Sequence, residues 1–131
     1  MKTLFEKLKL EHQKEILILN EPEGFAEELE ALVDIDIYQS LIQVNKMEFA
    51  LLFVSTVKEL EDQFHSLHPK LKDDVVLWVA HPRKKSEKLI TDITDEYTWE
   101  PLAKHRYEKV KNIKINPDWE AVRFRRVEYI K

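Results

Sequence analysis

The sequence contains no cysteine and a single glycine, and both scarcities exclude whole classes of site. Without cysteine the chain has no disulfide, no thiolate nucleophile and no cysteine metal site. The one glycine, Gly24, falls in the turn between the first predicted strand and the next amphipathic helix, where nucleotide-binding α/β proteins carry several. The rest of that turn is Asn-Glu-Pro-Glu at 20–23, and Pro22 has no N–H to offer a phosphate. The turn therefore predicts that no nucleotide cofactor binds there.

Long apolar runs and an excess of one charge are also missing. The 21 basic and 25 acidic side chains leave a formal net charge of -4, which argues against nucleic acid or an anionic membrane as the partner. Residues 1–10 alternate charged with apolar side chains and do not form the core of a signal peptide, and no stretch has the length and apolarity of a membrane span. These absences predict a cytoplasmic protein without membrane contact.

What the chain does have is enough apolar material for a core. Apolar residues make up 44% of its 131 residues and aromatic residues 10%. No repeat, low-complexity segment or linker divides it, so residues 1–131 are predicted to form one domain.

Apolar runs predict the strands of this domain. Three runs without polar interruption predict strands buried on both faces, at Glu15 to Asn20, Glu48 to Val54 and Asp74 to His81. Three further strands are predicted, of which the first is weaker and the last two form an antiparallel hairpin: Tyr38 to Val44, Lys109 to Asn116 and Glu120 to Ile130.

Apolar spacing of three and four residues predicts helices between these strands. They are placed over Thr3 to Leu8, from Phe25 through Val33, from Val57 through Leu71, and between Thr91 and Arg106 with Trp99, Leu102 and Ala103 buried. Thr56 and Glu59 form a capping box before the third helix. Buried strands separated by helices predict an α/β, Rossmann-like three-layer domain, with a mostly parallel sheet and a C-terminal antiparallel hairpin.

This order of elements resembles the fold of class I S-adenosylmethionine-dependent methyltransferases, shortened by one strand and one helix in its first half. Two segments, Leu77-Trp78…Pro82-Arg83-Lys84-Lys85-Ser86 and Asp118-Trp119-Glu120-Ala121-Val122-Arg123-Phe124-Arg125, are similar to an uncharacterised family of short bacterial proteins. Members of that family have a Leu-Asn-x-Pro-x-Gly turn, a Trp-x-x-x-Pro-Lys loop and a closing Asp-x-Trp-Ser-x-Leu-Arg-Phe strand. The likeness runs from about Leu10 to Tyr129, and Glu120-Ala121-Val122 stands where the family has Ser-Ala-Leu. The resemblance implies a methyltransferase-like fold and no particular reaction.

A ligand site is predicted at the carboxyl edge of the parallel strands, where open α/β sheets bind their ligands. A basic loop that includes Lys88 leaves the third buried strand at this edge. The candidate residues for a small anionic ligand are Asn20, Ser55, His81, Arg83, Lys84 and Lys85. The alternative is a solvated charged loop next to a structural histidine.

Other polar candidates have simpler explanations. Arg123, Arg125 and Arg126 are predicted to pair with acidic neighbours on an exposed face, with contact to an anion or a partner as the alternative. His65 and His68 share a helix face, but two ligands do not make a metal site, so none is predicted.

Tryptophan and serine residues give no catalytic site. Trp78 and Trp99 are predicted to lie in the core, whereas the exposure of Trp119 is left open. Ser55 and Ser86 lack the context of a nucleophile elbow, so no catalytic residue is predicted.

Three functions follow from these observations. The missing glycine loop favours a non-enzymatic binding or assembly protein that binds neither S-adenosylmethionine nor a nicotinamide dinucleotide. The first alternative is a small enzyme or sensor for an anionic metabolite at the edge formed by Asn20, Ser55 and Arg83. The second is a nucleic-acid accessory protein that uses residues 83–88 and the closing arginines.

Self-association is a separate question. The closing hairpin favours a homodimer with Trp119 and Tyr129 as aromatic contacts, although Arg125, Arg126, Glu128 and Lys131 could block such pairing.

Overall fold

Six strands and four α-helices make up the regular structure of residues 4–130, the part of the chain that the computed structural model describes. The strands are β1 (Glu15–Leu19), β2 (Asp36–Tyr38), β3 (Met47–Phe53), β4 (Leu71–Pro82), β5 (Tyr107–Lys114) and β6 (Trp119–Arg126). The helices are α1 (Leu4–Lys7), α2 (Ala26–Glu30), α3 (Val57–Leu67) and α4 (Glu100–Ala103). Thr3 and Lys131, named in the predictions above, lie outside the described residues.

The strands form one mixed sheet in the order β2-β1-β3-β4-β6-β5. Neighbours from β2 to β4 run parallel, and β6 is antiparallel to both β4 and β5. In the register, Leu51 on β3 pairs with Trp78 on β4, which pairs with Arg123 on β6. The predicted mostly parallel sheet with a C-terminal antiparallel hairpin is therefore confirmed.

The sheet has a separate apolar core on each face, which explains why its central strands contain almost no polar residue. Leu17 and Leu52 face the core that α3 and α4 cover, and Ile18 and Phe53 face the core that α1 and Phe25 cover. Helix α3 adds its apolar stripe to the first core through Leu60, Phe64 and Leu67. Helices on both faces give the predicted three layers.

Helix α3 begins at the predicted cap. The N–H of Glu59 donates to Thr56 Oγ1 over 3.1 Å, and Glu59 Oε1 accepts from the N–H of Ser55 over 2.7 Å. The first bond satisfies a backbone N–H that the first turn of a helix leaves free, and the second satisfies the N–H of the residue before the cap.

Two predicted elements end at different residues in the structure. The strand predicted over 38–44 is wrong, since β2 stops at Tyr38 and a short 3-10 helix occupies Leu41–Gln43. Ser40 explains the change, because its hydroxyl accepts from the N–H of Ile42 and favours a turn over a strand. Leu71 opens β4 and does not belong to α3, since Pro69 breaks the helix and residues 68–70 form a 3-10 turn.

Four more details differ from the sequence predictions. Val33 lies beyond the end of α2 and is 76% exposed, and Ala103 is exposed although it was predicted to be buried. Trp99 is buried, but it precedes α4 with a left-handed φ of 57° and so lies outside the helix. Strand β6 ends at Arg126, after which Val127–Tyr129 form a 3-10 turn.

Candidate functional site

A cleft of about 510 Å³ lies at the carboxyl end of β4, the edge at which the sequence predicts a ligand site. We call it the β4-edge cleft. Its lining residues are His81, Arg83, Lys84, Ser86, Leu89, Ile90, Thr91, Ile93, Thr94, Asp95, Glu96 and Glu120. The structure therefore brings together three of the six predicted residues, namely His81, Arg83 and Lys84.

The outer wall of this cleft is the loop from Arg83 to Thr98, and its first anchor is the turn of the β5–β6 hairpin. Ser86 Oγ donates to Asp118 Oδ1 over 2.8 Å and accepts from the N–H of Leu89 over 3.1 Å. The N–H of Arg83 donates to the carbonyl of Asp118 over 2.8 Å. Ser86 thus acts as a turn residue, and its hydroxyl is not a free nucleophile.

The second anchor of the loop lies at the end of β3 and the start of α3. Thr91 Oγ1 donates to the carbonyl of Ser55 over 2.6 Å, and Asp92 Oδ1 accepts from the N–H of Val57 over 2.8 Å. Ser55 therefore supports the cleft through its backbone and does not line it. Between the two anchors, Ile90 is 92% exposed at the rim.

A histidine–carboxylate pair lies in the cleft wall. His81 is 7% exposed, its Nδ1 lies 2.9 Å from the carbonyl of Pro82, and its ring packs on Trp99. Because a carbonyl only accepts, we assign the hydrogen to Nδ1, which leaves Nε2 to face Glu120 Oε1 at 3.4 Å. Glu120 reaches this position because it is the cross-strand neighbour of His81.

The charges of the cleft are mixed. Arg83 and Lys84 supply two cations, whereas Asp95, Glu96 and Glu120 supply three carboxylates. These acids were not predicted from the sequence, because Asp95 and Glu96 lie in a long connection and Glu120 follows the hairpin turn. The lining therefore suits a ligand with both an acceptor end and a donor end.

The other predicted site residues lie apart from this cleft. Asn20 is exposed at the end of β1 with a left-handed φ of 60°. Lys85 lines a different depression, which it shares with Lys88 and Asp118 on the outer side of the loop.

The turn after β1 is occupied by its own side chains. Glu21 Oε2 accepts from Gln39 Nε2, which follows β2, and the carbonyl of Pro22 accepts from the N–H of Phe25 over 3.1 Å. Phe25 is buried against Phe53, with ring centroids 4.9 Å apart. A carboxylate therefore lies where a nucleotide-binding turn presents free N–H groups.

The closing arginines divide into two groups. Arg125 pairs with Asp74 and Arg126 with Asp73, each over 2.9 Å, so the predicted acidic pairing is confirmed for these two. Arg123 has no such partner among residues 4–130.

The predicted histidine pair on α3 extends to a third ring. His68 stacks on His105 with centroids 3.8 Å apart, and His65 lies 6.4 Å from His68. Burial lowers the pKa of His68 and of His105, and the neighbouring cationic groups lower both further. Within the described part of the chain, no three histidine, aspartate or glutamate side chains converge as metal ligands.

All three tryptophans are buried. Trp78 is fully enclosed and its Nε1 donates to the carbonyl of Leu8 over 2.7 Å. Trp119, whose exposure was left open, is 9% exposed and packs edge-on against Phe53. Trp119 therefore cannot be the aromatic contact of a homodimer in this conformation, and that part of the dimer prediction is wrong.

The mixed sheet with helices on both faces defines a Rossmann-like fold of the methyltransferase type. A candidate type 11 methyltransferase from Sulfolobus solfataricus is similar over 94% of this chain and 89% of its own, with a TM-score of 0.58 and 10% identity. A ribosomal protein L11 methylase from Lactobacillus delbrueckii subsp. bulgaricus is similar over 92% and 73%, with a TM-score of 0.54 and 12% identity. Identities this low show the fold alone.

Sequence comparisons add no family to this result. No protein-family model matches the chain, and no curated protein matches it in sequence. In the described residues, no helix has the length and apolarity to cross a membrane.

Proposed function

We propose that this protein is a non-catalytic binding protein on a degenerate methyltransferase-like fold, and that it binds a small polar metabolite in the β4-edge cleft. The observation that carries the proposal is the turn after β1, where Glu21 reaches Gln39 and Phe25 fills the core. A cofactor with a carboxylate or phosphate would meet the carboxylates of Glu21 and Glu23 at this turn.

The β4-edge cleft supports the second half of the proposal. A volume of about 510 Å³ is within the usual range for small-molecule pockets, and its wall is fixed at two anchors. The ligand's anionic group would contact Arg83 and Lys84, and its hydrogen-bond donors would face Asp95 and Glu96.

Two adjacent lysines offer a matched test of this site. Lys84 lines the cleft and Lys85 does not, although both are exposed and carry the same charge. A library of small carboxylates, phosphates and amino acids would be screened by two-dimensional amide NMR. We expect a hit that shifts residues 81–96 and binds about tenfold more weakly to Lys84→Gln, because a charge-assisted hydrogen bond is lost.

Lys85→Gln should leave the affinity of that hit within about twofold of the unsubstituted protein. Equal losses in the two variants would assign the effect to overall charge and refute the site. A library without any hit in the cleft would refute the proposed function.

No comparable observation favours a nucleic-acid partner. Arg125 and Arg126 are held by Asp74 and Asp73, and Arg83 Nη1 donates to the carbonyl of Pro117 over 3.2 Å. These pairings leave fewer cations for a phosphate backbone.

A further inference from the structure

Arg123 is a half-buried cation that forms no ion pair within the described residues. It lies on β6 between Trp78 on β4 and Lys111 on β5, on the sheet face that α1 covers. Its Nε is shielded from solvent and has no hydrogen-bond partner, and no carboxylate oxygen of residues 4–130 lies within 4.0 Å of its guanidinium. Burial and the charge of Arg125 lower the pKa of Arg123, whereas the nearby carboxylates of Asp74 and Glu11, which form no ion pair with it, raise the pKa. Buried charges of this kind normally have a partner.

The side chain lines a second cleft, of about 340 Å³, at the amino ends of the parallel strands. We call it the amino-edge cleft. It lies at the opposite edge of the sheet from the β4-edge cleft, and its lining residues are Lys9, Glu11, His12, Gln13, Glu48, Lys72, Asp74, Val76 and Arg123. The two clefts share no residue.

Most carboxylates of this cleft form ion pairs with cations other than Arg123. Glu48 pairs with Lys72 over 3.0 Å, and Asp74 pairs with Arg125 over 2.9 Å. Glu11 is the remaining acid of the lining, whereas Lys9 and Arg123 both remain without an ion pair in the described chain. The cleft therefore has two free cations for one free carboxylate.

The backbone holds both cations in place. Lys9 follows α1 with a left-handed φ of 68°, and the hydrogen bond from Trp78 Nε1 to the carbonyl of Leu8 fixes this turn against the sheet. Arg123 is fixed by the ladder of β6, which has neighbours on both sides. The cations are thus presented by ordered backbone and not by a loose surface loop.

We infer that the amino-edge cleft binds a small oxyanion, a phosphate or a carboxylate, through the guanidinium of Arg123 with Lys9 as the second cation. A guanidinium presents two parallel N–H donors that match two oxygens of such a group, and partial exclusion of water strengthens the contact. The bound oxyanion supplies the direct ion-pair partner that Arg123 lacks among the described residues. This inference is independent of the ligand proposed for the β4-edge cleft.

Titration with inorganic phosphate and, separately, with acetate tests the inference and distinguishes the two chemistries. Amide and arginine side-chain NMR signals would be followed at constant ionic strength with chloride as the exchanged anion. We expect saturable shifts at residues 9–13 and at the Arg123 Nε–H for at least one of the two probes. No saturable shift for either up to about 50 mM, or shifts confined to the β4-edge cleft, would overturn the inference.

Two variants with the same change in charge complete the test. Arg123→Gln should weaken binding of the probe at least about tenfold, whereas Lys109→Gln, on the opposite face of the same hairpin, should change it by less than about twofold. Equal affinity of Arg123→Gln and the unsubstituted protein would overturn the inference.

A melting experiment checks the same point without relying on the NMR signals. In buffer free of phosphate and carboxylate, Arg123→Gln should melt no lower than the unsubstituted protein, because it removes a half-buried charge that forms no ion pair. The successful probe should raise the melting temperature of the unsubstituted protein alone. A lower melting temperature of Arg123→Gln in the anion-free buffer would reveal an internal partner and contradict the inference.

Discussion

At the scale of single residues, the placement of charge depends on partners distant in sequence. The alternation of β6 predicts which arginines share a face, and the structure agrees, with Val122 and Phe124 in the opposite core. The partners of Arg125 and Arg126 are Asp74 and Asp73, about 50 residues earlier, and no local pattern indicates them. The sequence therefore predicts the face of a charged side chain more readily than its partner.

The buried strands give a residue-scale prediction. Leu52 is fully buried in β3, so Leu52→Asp would place an unpaired carboxylate in the core. Its cost of several kcal/mol is comparable with the ~5–15 kcal/mol that stabilises a whole domain, and we expect the variant not to fold. Lys85→Asp, at an exposed loop position, is the control and should fold normally. Circular dichroism with thermal melting measures both, and an unchanged melting temperature of Leu52→Asp would refute the assignment.

At the scale of elements, apolar runs predicted β1, β3 and β4. Each of these strands is buried on both faces, so nearly every position in its central part carries an apolar residue. The ends of elements were less predictable. The hydrogen bond that Ser40 Oγ accepts from the N–H of Ile42 ends the region around β2. The apolar spacing of α3 continues to Leu71, although a different element begins there. Such endings depend on one or two local contacts that hydrophobic periodicity does not contain.

The contact between α3 and α4 gives an element-scale prediction about pH. His68 and His105 stack just beyond the ends of these helices, near the basic side chains of His65, Lys104 and Lys46, while Glu61 and Glu100 line the same depression as His105. Burial and these cations hold both histidine pKa values below 6.5 in the fold. The unfolded chain thus binds protons first as the pH falls, and stability is full above about pH 6.5 and decreases below it.

The double variant His68→Gln/His105→Gln measures that contribution. The melting temperature of the unsubstituted protein should fall between about pH 7.5 and about pH 5.5, and the fall should be smaller in the double variant. His12→Gln is the control, because His12 lies on the exposed amino edge far from α4. An identical pH dependence in the unsubstituted protein and the double variant would contradict the prediction.

At the scale of the whole molecule, the sequence predicted the methyltransferase-like fold because the order of strands and helices is recognisable even where the sequence motifs of a cofactor site are absent. It also predicted the edge of the sheet at which the β4-edge cleft lies. It did not predict the composition of the cleft, since that depends on the non-local anchors from Ser86 to Asp118 and from Thr91 to Ser55. A homodimer stays a prediction, but without Trp119 as its contact.

The central claim is that this methyltransferase-like fold has no cofactor site at the turn after β1. Calorimetric titration of the protein with S-adenosylmethionine tests it most directly, with amide NMR to locate any contact. We predict no saturable heat up to about 1 mM ligand, because the carboxylates of Glu21 and Glu23 lie at this turn and Pro22 has no N–H to donate. Saturable binding in the micromolar range, with shifted signals at residues 20–25, would contradict the claim.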